Sequence, residues 1–312
     1  MAIDIINTGL NHKLNGMAVK FDIVGYTPAI IFPDDEDRGL AICCAEQLVL
    51  ADNTGIINQN DVNGFMFKLA ASTDTLSMFL ERNGEQVAQL NNNTYGTYYA
   101  AGSITFYSDQ ILLTGYKLEW SKVLAAFGTG RYSVRVDYTT FGGSSSSYSN
   151  NFKLLQFSAD NANHTIRIES HMDGYIMRER INYKGLDFID MLRVKGWFGN
   201  PDEKIETIND IYANYGGEKR VKVQRKVNQN DIYMFETYPY PKCIADRIRY
   251  YHFLANTVFM SDYNLYNYDY ELQRIRVYKD ESFSFKYTGT TRAVIIRGKL
   301  IEQIQDLQKT NC

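Results

Sequence analysis

Thr75–Leu90 reads TLSMFLERNGEQVAQL, and the Asn83-Gly84 pair at its centre decides the fold class. Both residues tolerate positive φ, as a two-residue turn between antiparallel strands requires, and each flank alternates apolar with polar side chains. The segment reads as a β-hairpin.

Strand signals continue outward in both directions. Tyr132 to Tyr138 (YSVRVDY) alternates as a strand. Before it, Tyr116 to Phe127 (YKLEWSKVLAAF) begins as a strand, then offers Ser121 as the cap of a short helix that Gly128 closes. The FGGSSSSYSNN run, Phe141 to Asn151, reads as an exposed flexible connection. Strands follow at Phe152 to Phe157 and His164 to Ser170. Towards the N-terminus, residues 17–32 read as two strands divided by Gly25 and Pro28. Asp34 to Asp37 form an acidic surface loop, and Leu40 to Leu50 resume a strand. Short strands with frequent turns predict an antiparallel β-sandwich over residues 1–174.

Residues 175–312 predict a mixed β+α domain, with Gly174 as the joint. Tyr175 to Tyr183 and Leu186 to Phe198 flank Lys184-Gly185 as one hairpin. Lys219 to Val227 and Asp231 to Tyr238 flank Asn228-Gln229-Asn230 as another. Pro241 opens the strongest helical pattern: Ile244, Ile248, Tyr251, Ala255 and Val258 recur at helical spacing. This predicts one long amphipathic helix. Strands return at Leu272 to Tyr278 and Arg292 to Leu300, and Leu300 to Gln308 closes the chain as an amphipathic segment. The fold class is thus mainly β, a sandwich followed by a mixed β/α assembly domain.

Composition agrees. The 312 residues are 14% aromatic, with 24 Tyr against only 5 Pro, a balance that favours sheets and subunit contacts. Residues 1–175 carry 11 Lys and Arg against 18 Asp and Glu, whereas the remainder carry 22 against 18. Such polarity suits head-to-tail contact between copies. The start, MAIDIINTGLNHKL, lacks a secretory pattern, and no apolar run approaches the roughly 20 residues of a membrane span. Cys43, Cys44, Cys243 and Cys312 follow neither disulfide nor zinc spacing. Synthesis in a reducing cytoplasm and no membrane insertion are expected.

Chemistry-bearing motifs are sparse. His12, His164, His171 and His252 include no pair at metalloprotease spacing, and His252 reads as a structural histidine. Gln59, Asp61, Asn63 and Gly64 imitate part of a calcium loop, but Gln59 fills the first ligand position and Ala70 the closing one. Gly128-Thr129-Gly130 follows a helix and lacks a third glycine, so it is no dinucleotide fingerprint. No catalytic residue, cofactor or metal is expected. Two surfaces stand out instead. Lys219 to Lys226 (KRVKVQRK) is the most basic stretch. In a regular strand, Arg220, Lys222, Gln224 and Lys226 share one face, with Lys219 and Arg225 on the other. It suits an acidic neighbour or DNA phosphate, or a guarded sheet edge. Tyr263, Tyr266, Tyr268 and Tyr270 form an aromatic stretch suited to a subunit interface or to stacking on sugars.

Trp120, Val123, Phe127 to Tyr132, Ser149 to Phe157 and Ala162 to Ser170 (ANHTIRIES) resemble β-domains in virion proteins of crAss-like tailed phages of Bacteroidetes. The motif covers residues 116–170, and the Tyr- and Asn-rich texture extends the likeness. The resemblance implies a non-enzymatic subunit of a neck or tail ring or tail hub. Such a subunit is made in the bacterial host cytoplasm and assembled into a cyclic homo-oligomer around a DNA channel, docked to other virion neck and tail proteins. The alternative from the residues is a carbohydrate- or receptor-binding β-sandwich.

Overall fold

The computed structural model describes residues 4–8, 46–52, 60–69, 75–106, 109–140, 143–149, 151–173, 175–176, 181–186, 188–213, 220–241, 244–245, 247–248, 252–264, 274–279, 284–288 and 293–302. Residues 17–32, Asp34 to Asp37, Gly174, Lys219, Tyr266, Tyr268, Tyr270 and 303–308 lie outside the described residues.

The first half contains β1 (Asp4–Thr8), β2 (Gln47–Ala51), β3 (Val62–Leu69), β4 (Thr75–Arg82) and β5 (Glu85–Gln89). β6 (Gly96–Phe106) and β7 (Asp109–Glu119) lead into α1 (Trp120–Phe127), followed by β8 (Gly130–Thr140), β9 (Gly143–Tyr148), β10 (Phe152–Gln156) and α2 (Ala159–Ala162). The expected hairpin is β4–β5. Asn83 and Gly84 take φ of 53° and 88° at its tip, and Arg82 pairs with Glu85. Strands β1-β3-β7-β6 form one sheet; β2-β10-β8-β4-β5, with β9 also on β8, form a second.

Side chains from both sheets meet in one apolar cluster. Phe65 and Phe67 of β3 and Tyr116 and Leu118 of β7 meet Leu80, Val134, Val136, Phe152 and Leu154. Trp120, fully buried at the start of α1, lies 5.1 Å from the Phe152 ring and 5.9 Å from that of Tyr132. Each such apolar side chain contributes about 1.5–3 kcal/mol through burial.

Three local expectations are corrected here. The β2–β10 pair is parallel, so the second sheet is mixed. Glu119, not Ser121, is the N-cap residue of α1, without a side-chain cap bond, because β7 runs directly into the helix; Gly128, φ 78°, ends it as expected. The Ser-rich run is a strand, β9, paired with Arg135–Thr140 of β8. β10 covers only Gly130–Tyr132 of that rim, and the returning chain satisfies the rest of the ladder.

The second half holds β11 (Thr165–Met172), β12 (Tyr175–Ile176), β13 (Ile181–Asn182), β14 (Phe188–Ala213) and β15 (Arg220–Thr237). After them come β16 (Tyr240–Pro241), β17 (Thr257–Asp262), β18 (Ile275–Lys279), β19 (Ser284–Thr288) and β20 (Ala293–Glu302). Strands β15-β14-β11-β17-β18-β20 are hydrogen-bonded in that order, and β20 pairs back onto β15. This closes a six-stranded antiparallel barrel that sequence reading did not anticipate. Ile166, Ile168, Leu192, Val194, Phe235, Met260, Ile296 and Leu300 fill it, joined by Ile244, Ile248 and Phe253.

Closure explains the remaining corrections. Tyr175–Ile176 pairs with Ile181–Asn182 rather than with 186–198, because β14 is held between β11 and β15. Asn228-Gln229-Asn230 is no turn; β15 runs through it, paired with Glu206-Ile205-Lys204. Among the described residues the helical pattern expected from Pro241 does not run on as one helix to Val258. Pro241 pairs with Ala293, helical residues occur at 244–245 and 247–248, and a 3₁₀ turn covers His252–Leu254. Val258 lies in β17 opposite Val277. The barrel needs a strand between β11 and β18, and that pairing overrides the helical periodicity. β20 extends through Glu302, into the first residues of the expected amphipathic segment. The chain changes sheet between β10 and β11, and β11 pairs with β14 and β17 of the barrel. Among the described residues, no helix is long and apolar enough to cross a membrane.

Candidate functional site

Strand alternation sends Leu192 and Val194 into the barrel and Arg193 out of it, onto the first half. There Arg193 Nε and Nη2 donate to Asp61 Oδ2 and Oδ1, each at 2.8 Å, and Nη1 donates to Thr165 Oγ1 at 3.1 Å. Asp61 Oδ2 also accepts from the Leu50 amide at 2.8 Å. Burial opposes the Arg193 charge, yet the Asp61 carboxylate outweighs it and raises the guanidinium pKa. The Tyr263 ring centre lies 4.5 Å from that guanidinium, and its edge meets Phe157.

Two residues on, Asn63 joins both halves. Its Oδ1 accepts from Trp120 Nε1 at 2.8 Å, and its Nδ2 donates to Asp190 Oδ1 at 3.0 Å and to the Met191 carbonyl at 2.9 Å. Asp190 Oδ1 also accepts from the Gly64 amide, and Oδ2 accepts from Arg247 Nη2 at 2.8 Å. Arg247 Nη1 donates to Gln47 Oε1 at 3.0 Å.

The same region holds a Ser–His–Asp set. Ser170 Oγ is 2.7 Å from His252 Nδ1, and His252 Nε2 is 3.8 Å from Asp190 Oδ2. All three residues are fully buried. Burial first, and the Arg247 charge second, push the His252 pKa well below its ordinary value, so the ring is neutral. With Asp190 engaged by Asn63, Gly64 and Arg247, the set as placed is a clamp between strands. A nucleophilic triad needs a reachable hydroxyl and a close base–orienter bond. A cavity of about 130 Å³ lies beside Gln47, Arg193 and Tyr240. That is room for a few waters, below the about 300–1,000 Å³ of ligand sites.

A second ionic cluster surrounds Glu169. His171 Nε2 lies 2.5 Å and Arg274 Nη2 3.1 Å from Glu169 Oε1, and Arg167 lies 3.7 Å from Oε2. Burial raises the Glu169 pKa, but the hydrogen bonds from His171 and Arg274, with the Arg167 charge, win and hold it at about 2. No group of three or more His, Cys, Asp or Glu suited to a metal ion occurs among the described residues.

The basic residues Arg220, Lys222, Arg225 and Lys226 lie in the distal part of β15. From Asp202 to Ala213, β14 pairs only with β15, and Arg220–Asp231 pair only with β14, among the described residues. The two strands make a ribbon about 40 Å long at about 3.3 Å per residue. Its register shifts between Ile208, opposite Lys226, and Asn209, opposite Gln224, leaving Arg225 as an extra residue. The bulge interrupts the regular alternation on which a single cationic face was expected. Tyr263, expected at an interface, is buried within the chain.

Sequence reading met Asp61, Asn63 and Gly64 only as an incomplete calcium loop, placed Arg247 off the apolar face of the expected helix, and passed over Asp190 and Arg193. A cation between apolar neighbours, as in Leu192-Arg193-Val194, was the available signal. Comparison with known proteins finds no match: no protein-family model and no curated protein is similar to this chain.

Proposed function

We propose that the chain is a non-enzymatic structural subunit that assembles with copies of itself into a ring, in the neck or tail of a tailed phage, around a channel for DNA. The observation that carries this reading is the β14–β15 ribbon. It runs beyond the barrel for about 12 residues per strand, and neither strand has a third neighbour among the described residues. A lone two-stranded ribbon is marginal in water, and its rims present unpaired backbone groups. A neighbouring polypeptide meets both needs, whereas a small ligand meets neither.

The likeness of residues 116–170 to crAss-like virion proteins supplies the setting: synthesis in the host cytoplasm, incorporation into the virion, and adjacent neck or tail proteins as further partners. Cations on β15 suit a channel that passes DNA. The buried ionic contacts join both halves into one body, as a load-bearing subunit requires. The alternative of a carbohydrate- or receptor-binding protein draws on the Tyr263–Tyr270 stretch, and Tyr263 lies inside the chain.

Light scattering and cryo-electron microscopy of the purified protein test the reading, together with mass spectrometry of purified virions. A rotationally symmetric oligomer and the chain's presence in particles are expected. A protein that stays monomeric at every concentration, or is missing from virions, overturns it.

A further inference from the structure

We infer that the two rims of the β14–β15 ribbon are mates for one another between copies, the β14 rim of one subunit pairing with the β15 rim of the next. This deepens the ring reading and rests on it. The two strands carry opposite charge. The ribbon part of β14 holds Asp202, Glu203, Glu206 and Asp210 against Lys204. The facing part of β15 holds Arg220, Lys222, Arg225 and Lys226 against Asp231. Like rims therefore repel and unlike rims attract, which selects head-to-tail contact over two-fold pairing.

Geometry makes the same selection. Within one subunit β14 and β15 are antiparallel. When copies are related by rotation about an axis along the ribbon, β14 of one copy and β15 of the next also run antiparallel. The order β15-β14-β15-β14 then continues around the ring as one antiparallel sheet that closes without an edge. Such rotation keeps residues at their own height. Glu206 and Asp210 lie two residues to either side of Ile208, the partner of Lys226. That height is the same between neighbours as it is inside the ribbon. The occupant of each rim is thus a second copy of this chain.

Charge exchange tests this on the full chain. One variant carries Lys222→Glu and Lys226→Glu, making both strands acidic. A second carries Glu206→Lys and Asp210→Lys, making both basic. A third carries all four changes. Size-exclusion chromatography with light scattering is expected to show the first two as monomers at a concentration where the unaltered protein is a ring. Their equimolar mixture and the four-fold variant are both expected to return to the ring. Recovery on mixing also shows that neither partner was misfolded. If the unaltered protein is a ring and the first two variants remain rings, or if neither mixing nor the four-fold exchange restores assembly, the rims are not the contact, while the ring reading stands. If the unaltered protein is itself a monomer, the ring reading fails instead.

Discussion

Asp61 and Arg193 form a two-pronged ion pair across the two halves of the chain, with both nitrogen–oxygen distances at 2.8 Å and both side chains buried. The planar fork of the guanidinium matches the carboxylate, and Thr165 and the Leu50 amide take up remaining hydrogen-bonding capacity. Removing one partner strands the other away from water. Asp61→Asn and Arg193→Met are each expected to lower unfolding free energy by about 3–5 kcal/mol in urea titrations. Asp61→Leu combined with Arg193→Met should recover part of the loss, because neither member of the pair is then left as a charge facing the other's vacancy. Single variants within about 1 kcal/mol of the unaltered protein would show that the pair does not hold the halves together.

What the sequence made legible was local. Asn83-Gly84 specifies its hairpin by backbone preference alone, and Gly128 ends α1 for the same reason. Tyr132 to Tyr138 alternate because one face of β8 is buried whatever covers it. Non-local closure was not legible. Val258 continues a helical period from Ile244, yet pairing with Ser170 and Val277 makes it a strand residue. The site was hidden for a related reason. Arg193 alternates with apolar residues as a solvent-facing residue does, but the outside of the barrel is covered there by Asp61 and its neighbours.

Acid should weaken the protein through two groups, one beginning to act at higher pH than the other. The folded pKa of His252 is lowered well below 6.5, so the unfolded chain takes up a proton near that value while the folded chain does not. Stability is full above 6.5 and falls by about 1.4 kcal/mol per pH unit below it. Glu169 is held at about 2 against an ordinary 4.5. Its contribution, about 3 kcal/mol at most, is present above 4.5 and lost as pH falls through about 2. His252→Asn is expected to flatten the fall that begins near 6.5 and Glu169→Gln the one that begins near 4.5, read from urea midpoints across a pH series. An unchanged slope below 6.5 in His252→Asn would remove that residue from the account.

Two glycines should fail for different reasons. A Cβ on Gly64 would lie 2.4 Å from Phe188 Cζ and 3.0 Å from the Ile189 carbonyl, so alanine forces the junction apart at a cost of about 1–3 kcal/mol. At Gly84 a Cβ meets nothing within 4 Å, but φ is 88°, and alanine costs about 1–2 kcal/mol through its backbone. Asparagine separates the causes. It tolerates the left-handed region, so Gly84→Asn should be milder than Gly84→Ala, whereas Gly64→Asn should be worse than Gly64→Ala. Equal ranking at both sites in thermal unfolding would contradict this division.

Barrel closure makes its own prediction about proline. Met234 of β15 pairs with Gly199 on one side and Lys299 on the other, at the seam where β20 completes the ring of strands. Ser146 of β9 pairs only with Asp137 of β8 among the described residues. Proline removes an amide donor and crowds a paired strand, and sheets accept it at edges rather than in interiors. Met234→Pro should therefore cost about 3 kcal/mol or more and release amide protection along Arg297–Ile301, whereas Ser146→Pro should cost less than about 1 kcal/mol and leave β20 protected. Hydrogen exchange followed by mass spectrometry reads both. If protection of β20 survives Met234→Pro, then β15 does not close the barrel, and the shared wall from which the ribbon springs must be redrawn.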